Sequence, residues 1–124
     1  MTLMFQPQFS PMIQSGRKYH TVRPVRKVPL RIGQPLSLRV WSGKPYRSKQ
    51  VEFATATVIR VSQFWLGPAA EMKIDGLLLN WESQNYFAWH DGFLDAIALR
   101  YWFTKTHGLP FVGQVIYWNL HETR

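Results

Sequence analysis

The chain has no cysteine, which removes disulfide staples, thiolate nucleophiles and cysteine-ligated zinc from consideration. No Asp or Glu occurs before Glu52, so nothing in the first part of the chain neutralises the cations there. No apolar run is long enough to span a bilayer, and no signal-peptide pattern is present. A cytoplasmic protein without a membrane partner is therefore expected. The histidines, at positions 20, 90, 107 and 121, lack metal-ligand spacing, and there is no HExxH pair. No metal and no cofactor are expected. A glycine-rich phosphate loop and a GxSxG elbow are also missing, which weakens nucleotide-triphosphate and serine-hydrolase readings.

What is present points to a globular protein. With 124 residues, 46% of them apolar and 18% charged, the chain is read as one domain over 1–124 that can bury a core unaided. Six Trp, eight Phe and five Tyr are many for this length; some are expected in the core and some on a surface that could stack flat ligands. The net charge is +8, and ten of the fifteen Lys and Arg lie between Arg17 and Lys49. A one-sided charge of this kind steers polyanions, nucleic acid first among them; the plainer explanation is a solubilising surface.

Periodicity predicts an α+β fold. "TLMF" reads as a short strand with Leu3 and Phe5 inward, and "SPMIQSG" as a short helix capped by Ser10 and stopped by Gly16. "PLSLRVW" alternates, with Leu36, Leu38 and Val40 on one face. Val51, Phe53, Thr55, Thr57, Ile59 and Val61 share a face over a length that predicts a bent or bulged strand, or two strands wrapping a small barrel. "FVGQVIYWNL" reads as a closing strand. "DGFLDAIALRYWFTKTHGLP" predicts a helix starting at Asp91, with an apolar stripe through Phe93, Leu94, Ile97, Ala98 and Tyr101, and a shorter helix precedes it around Asn85 to Trp89. The expected sum is five or six strands curled into a small barrel, flanked by two or three helices.

Two segments carry candidate chemistry. In "RVWSGKPYRSKQ", Arg39, Lys44, Arg47 and Lys49 interleave with Trp41 and Tyr46 about a turn. Cations for phosphates beside rings for bases suit single-stranded nucleic acid; a solvated hairpin tip is the alternative. In "SGRKYHTVR", Arg17, Lys18, Thr21 and Arg23 follow Gly16. Lys18 made partly neutral by burial or neighbouring cations could take the Thr21 proton, creating a nucleophile for an acyl or amide carbon. A surface strand binding phosphate through Lys18 and Arg23 is the simpler reading of the same residues. Asp91 and Asp95, four apart, are explained by capping and the helix dipole.

Gly16, Lys18, Thr21 and Arg23 in "GRKYHTVR" resemble the signature of ASCH domains, a branch of the PUA-like β-barrel superfamily. "IGQPLSLRVWSGKP" is similar to that family's glycine turn and strand, and "FAWHDGFLDAIALRYWFTKTHGLPFVGQVIYW" to the helix and closing strand of its small, often phage-borne members. The resemblance implies a PUA-like barrel whose cleft binds RNA or a cytidine-type modified nucleoside. Some members are amidohydrolases that deacetylate N4-acetylcytidine with a Lys, a Thr and a Glu. Lys18 and Thr21 fall on the first two positions, and Asp91, one methylene shorter, falls on the third. RNA or modified-nucleoside binding is thus the leading expectation. The alternatives are the amidohydrolase, a ribonuclease using Lys18 against phosphate charge, and a protein-interaction module.

Overall fold

The alternating stretches become strands in the computed structural model, which describes residues 1–122. The elements run β1 (Thr2–Met4), α1 (Phe9–Gln14), β2 (His20–Pro24), β3 (Pro35–Trp41), β4 (Gln50–Leu66), β5 (Met72–Ile74), β6 (Leu77–Leu78), α2 (Trp81–Asp91), α3 (Ala96–Thr106) and β7 (Phe111–Leu120). They form an α+β structure with one seven-stranded sheet. The order β1-β3-β4-β7-β2 makes the main path, and the small β5–β6 pair extends the far half of β4. β1 runs parallel to β3, and every other pairing is antiparallel.

The expectation of five or six strands falls short because β5 and β6, three and two residues long, are too brief to show a period. The sheet is also not closed. Among the described residues β1 and β2 do not pair; the link between them is a side chain, Arg23 Nη2 donating to the Met4 carbonyl at 2.6 Å.

The predicted bulges occur in β4 and reset which residues face inward. The register with β7 slips between Val58 and Arg60, and that with β3 slips between Leu38 and Arg39. An extra residue in one strand reverses the alternation beyond it. Ala56 and Val58 therefore pack with Leu36 and Leu38, whereas Phe64 and Leu66 pack with the helices on the opposite face. The odd-numbered set from Val51 to Val61 is consequently not one inward face: Ile59 is exposed, while Val61 packs on the first cluster. Neighbours Val115 and Ile116 on β7 belong to different clusters, so a core lies on each side of the sheet.

Both expected helices are present, but the one expected from Asp91 starts at Ala96, and the shorter one before it runs from Trp81 to Asp91. Gly92, at φ +102°, ends α2 in the left-handed conformation, and Asp95 caps α3 by accepting from the Ala98 amide at 2.8 Å. Asp91 is thus the last residue of α2. The expected stripe is also turned around: Leu94, Ile97 and Tyr101 are exposed, and Ala96, Leu99 and Phe103 are buried. Because α3 is apolar on more than one face, its period alone does not select the inward one. α1 starts earlier than expected, with Gln8 as N-cap and Ser10 inside the helix. Among the described residues no helix is long and apolar enough to cross a membrane.

Candidate functional site

Gly16 sets the direction of the segment that follows it. At φ +87° it turns the chain off α1, and the Lys18 amide donates back to the Met12 carbonyl at 3.0 Å. The turn aims Arg17 and Lys18 at the carboxyl end of α2, where helix carbonyls lack intrahelical partners and the dipole favours cations. Arg17 donates to the carbonyls of Trp89 and Phe93 at 3.1 and 3.2 Å and stacks its guanidinium 3.4 Å over the Trp89 ring. Lys18 Nζ donates to the Asp91 carbonyl at 2.6 Å and to Asp91 Oδ1 at 3.1 Å. The return contact is His90 Nδ1 at 2.8 Å from the Arg17 carbonyl.

Lys18 and Asp91 are each 3% exposed, an ion pair almost fully removed from water. His20, on β2, brings Nδ1 to 3.0 Å from the same Oδ1 and stacks on Phe87. With Asp91 ionised, the imidazole donates from Nδ1. Burial pushes the Lys18 amine below its usual value, with Arg23 adding to the push and Asp91 opposing it. Burial likewise lowers His20 against the pull of Asp91.

This pair opens onto a cavity of about 300 Å³. Thr21 and Arg23 reach the cavity from one face of β2, as their spacing requires. Phe5, Phe9, Phe93 and Trp102 supply aromatic wall, and His107 at the end of α3 stands at the edge. Arg23 is fixed by the Met4 carbonyl and lies 4.9 Å over the Phe5 ring. Burial lowers its pKa, yet a guanidinium remains charged. Among the described residues no hydrogen bond joins Lys18 to Thr21, and Asp91 Oδ2 takes no partner.

Lys18, Thr21, Arg23 and Asp91 therefore come together. Asp91, short as its side chain is, reaches Lys18. Arg17 stays close but is committed to the end of α2. Arg39, Trp41, Lys44, Tyr46, Arg47 and Lys49 lie on the β3–β4 hairpin and do not line the cavity. There, Arg39 bonds Ser37 and Gln50, the Trp41 and Tyr46 rings sit 5.1 Å apart, and Tyr46 is exposed at the tip. Sequence reasoning missed His20 and the aromatic wall. The signal for His20 was its place two residues after Lys18, on the strand that carries Thr21. Among the described residues no cluster of three or more metal-ligating His, Asp or Glu forms. No family model, curated protein or solved structure matches the chain.

Proposed function

We propose that the chain is an ASCH-type, PUA-like domain that takes one modified nucleoside, free or within single-stranded RNA, into the cavity between β2 and α3. The observation that carries this reading is the buried Lys18–Asp91 pair beside Thr21 and Arg23 at an aromatic-walled cavity of about 300 Å³. That volume is at the lower end for small-molecule sites (about 300–1,000 Å³), which suits one base and its substituent rather than a duplex. The rings offer stacking surface, and Lys18, Thr21 and Arg23 offer donors to a base's carbonyls. The PUA-like assignment is supported by the β1-β3-β4-β7-β2 order and the bulged β4, an arrangement that needs only a β1–β2 pairing to close. Isothermal titration with cytidine and N4-acetylcytidine tests the reading. Binding of the acetylated nucleoside, weakened by Arg23→Gln, is expected, and no heat with either nucleoside overturns it.

The lowered Lys18 pKa favours a second reading, hydrolysis of N4-acetylcytidine. A neutral amine has two N–H groups and one lone pair. The Asp91 carbonyl and Oδ1 accept both N–H groups, leaving the lone pair for the Thr21 proton. Thr21 Oγ1 would then bond the acetyl carbon, and the carbon–N4 bond would break as Lys18 returns its proton to the departing N4. Water would hydrolyse the threonyl ester to acetate and restore the hydroxyl. Asp91 would hold the amine in place. Mass-spectrometric turnover by wild type that is lost in Thr21→Ala is expected, and turnover surviving that change sinks the mechanism.

A further inference from the structure

A second depression of about 580 Å³ is lined by Arg23, Arg26, Lys27, Leu30 and Gln34 among others, and it shares Arg23 and Pro24 with the cavity. We propose that this groove is a phosphate site, so that the cavity's occupant is a nucleoside phosphate rather than a bare nucleoside. The proposal rests on the nucleoside reading above and specifies its ligand.

Charge and geometry both support it. Among the described residues Arg23, Arg26 and Lys27 have no carboxylate within 4.0 Å, the ion pairs there being Lys18–Asp91, His20–Asp91 and Arg60–Asp75. Arg26 is close enough to Arg23 to depress its pKa, so the two cations repel. The acid that favours the charged Arg23 is Asp91, which is already held by Lys18 and His20. Cations gathered without a counter-charge disfavour one another until an anion arrives, and guanidinium groups match phosphate oxygens in a fork.

Arg23 is also pre-organised for this task. One of its N–H groups goes to the Met4 carbonyl, and the remainder take no protein acceptor among the described residues. The loop carrying Arg26 and Lys27 is pinned: Leu30 is buried, Gly33 donates to the Val58 carbonyl at 2.7 Å, and the Gln34 side chain caps the Arg31 amide at 3.1 Å. Arg23 therefore stands between base and phosphate, touching both compartments. The hairpin cations line neither, so the phosphate next to the bound base meets this loop first.

Titration calorimetry would compare N4-acetylcytidine, its 3′- and 5′-monophosphates, and a trinucleotide with N4-acetylcytidine at its centre. At least one monophosphate should bind about tenfold or more tighter than the nucleoside, as a charge-assisted hydrogen bond allows. In Arg26→Gln/Lys27→Gln, the first exchange at a half-buried and the second at an exposed position of the loop, the phosphorylated and unphosphorylated forms should bind alike. A trinucleotide tighter than the monophosphates, with a salt-dependent advantage, identifies a strand as the source; a monophosphate that binds as well identifies a free nucleotide. Equal affinity of nucleoside and monophosphates in the wild type overturns the phosphate site while leaving the nucleoside reading intact. No binding by any probe overturns both.

Discussion

Changing Asp91 to Asn removes the carboxylate from a Lys18 ammonium that is 3% exposed and lies 5.2 and 5.9 Å from the Phe9 and Phe5 ring centres. Breaking one side of a buried pair typically costs about 3–5 kcal/mol, mostly the penalty of the stranded charge. Asn keeps an acceptor oxygen and the main-chain carbonyl stays in place, so the expected loss is near the lower end, about 3 kcal/mol. Lys18→Met should cost a similar amount by uncapping α2 and leaving Asp91 with His20 alone. The double variant buries neither charge, so its loss should be smaller than the sum by on the order of 2 kcal/mol. Urea unfolding at neutral pH reads this directly. With a slope of about 2 kcal/mol/M, each single change should lower the midpoint by about 1.5 M. Additivity within about 0.5 kcal/mol would refute the reasoning, because it would mean the two groups are not energetically joined.

His20 is held by burial below its usual value of 6.5, so the unfolded chain takes up its proton first as pH falls. The wild type should therefore lose stability on acidification below about pH 6.5, and His20→Gln should lose less over the same range, as measured by urea midpoints against pH. At Gly92, φ is +102° and a Cβ would fall 2.6 Å from Phe9 Cε1. Gly92→Ala should thus cost about 2–4 kcal/mol through left-handed strain and overpacking, visible in thermal melts. If RNA is bound across the hairpin, Lys44→Gln/Arg47→Gln/Lys49→Gln should flatten the log affinity–log salt slope by about 2, at about 0.7 per lost phosphate contact; an unchanged slope would place the strand elsewhere.

Local pattern was readable wherever one strand faces one core. "PLSLRVW" gave its bounds and its buried Leu36 and Leu38, and Leu3 and Phe5 point inward as their alternation requires. It failed where two cores compete for one strand. β4 changes allegiance at its bulge, and nothing in "TATVIRVSQF" marks Ile59 as the residue to be set aside. It misplaced the join between α2 and α3, expected before Asp91 and found after it. "HDG" is a helix ending and Asp95 a helix start, but apolar residues on both sides of the join mask the break. The site was legible in its parts: Lys18, Thr21 and Arg23 lie together in sequence. Their meeting with Asp91, 73 residues away from Lys18, is tertiary and left no spacing to read. Arg26 and Lys27 carry no local pattern as dense as the hairpin's, yet the fold places them beside the cavity.

The turn at Gly16 makes one arrangement serve two chemistries, and the protonation of Lys18 separates them. The end of α2 and the Asp91 carboxylate favour the ammonium, whereas burial and Arg23 favour the amine. A site that only binds gains from the ammonium, which donates to a base carbonyl with charge assistance. A hydrolase requires the amine, because an ammonium cannot accept the Thr21 proton. The two readings therefore demand opposite states of one atom at working pH. Carbon NMR of the Lys18 side chain, titrated from neutral to alkaline pH and assigned with Lys18→Met, reports that state. Burial lowers the folded value while the unfolded chain holds its proton to about 10.5, so wild-type stability should rise with pH between the two and Lys18→Met should lack that rise. An amine populated near neutrality would support hydrolysis. A Lys18 that titrates no lower than an ordinary lysine would leave the cavity a binding site and remove the base from the mechanism.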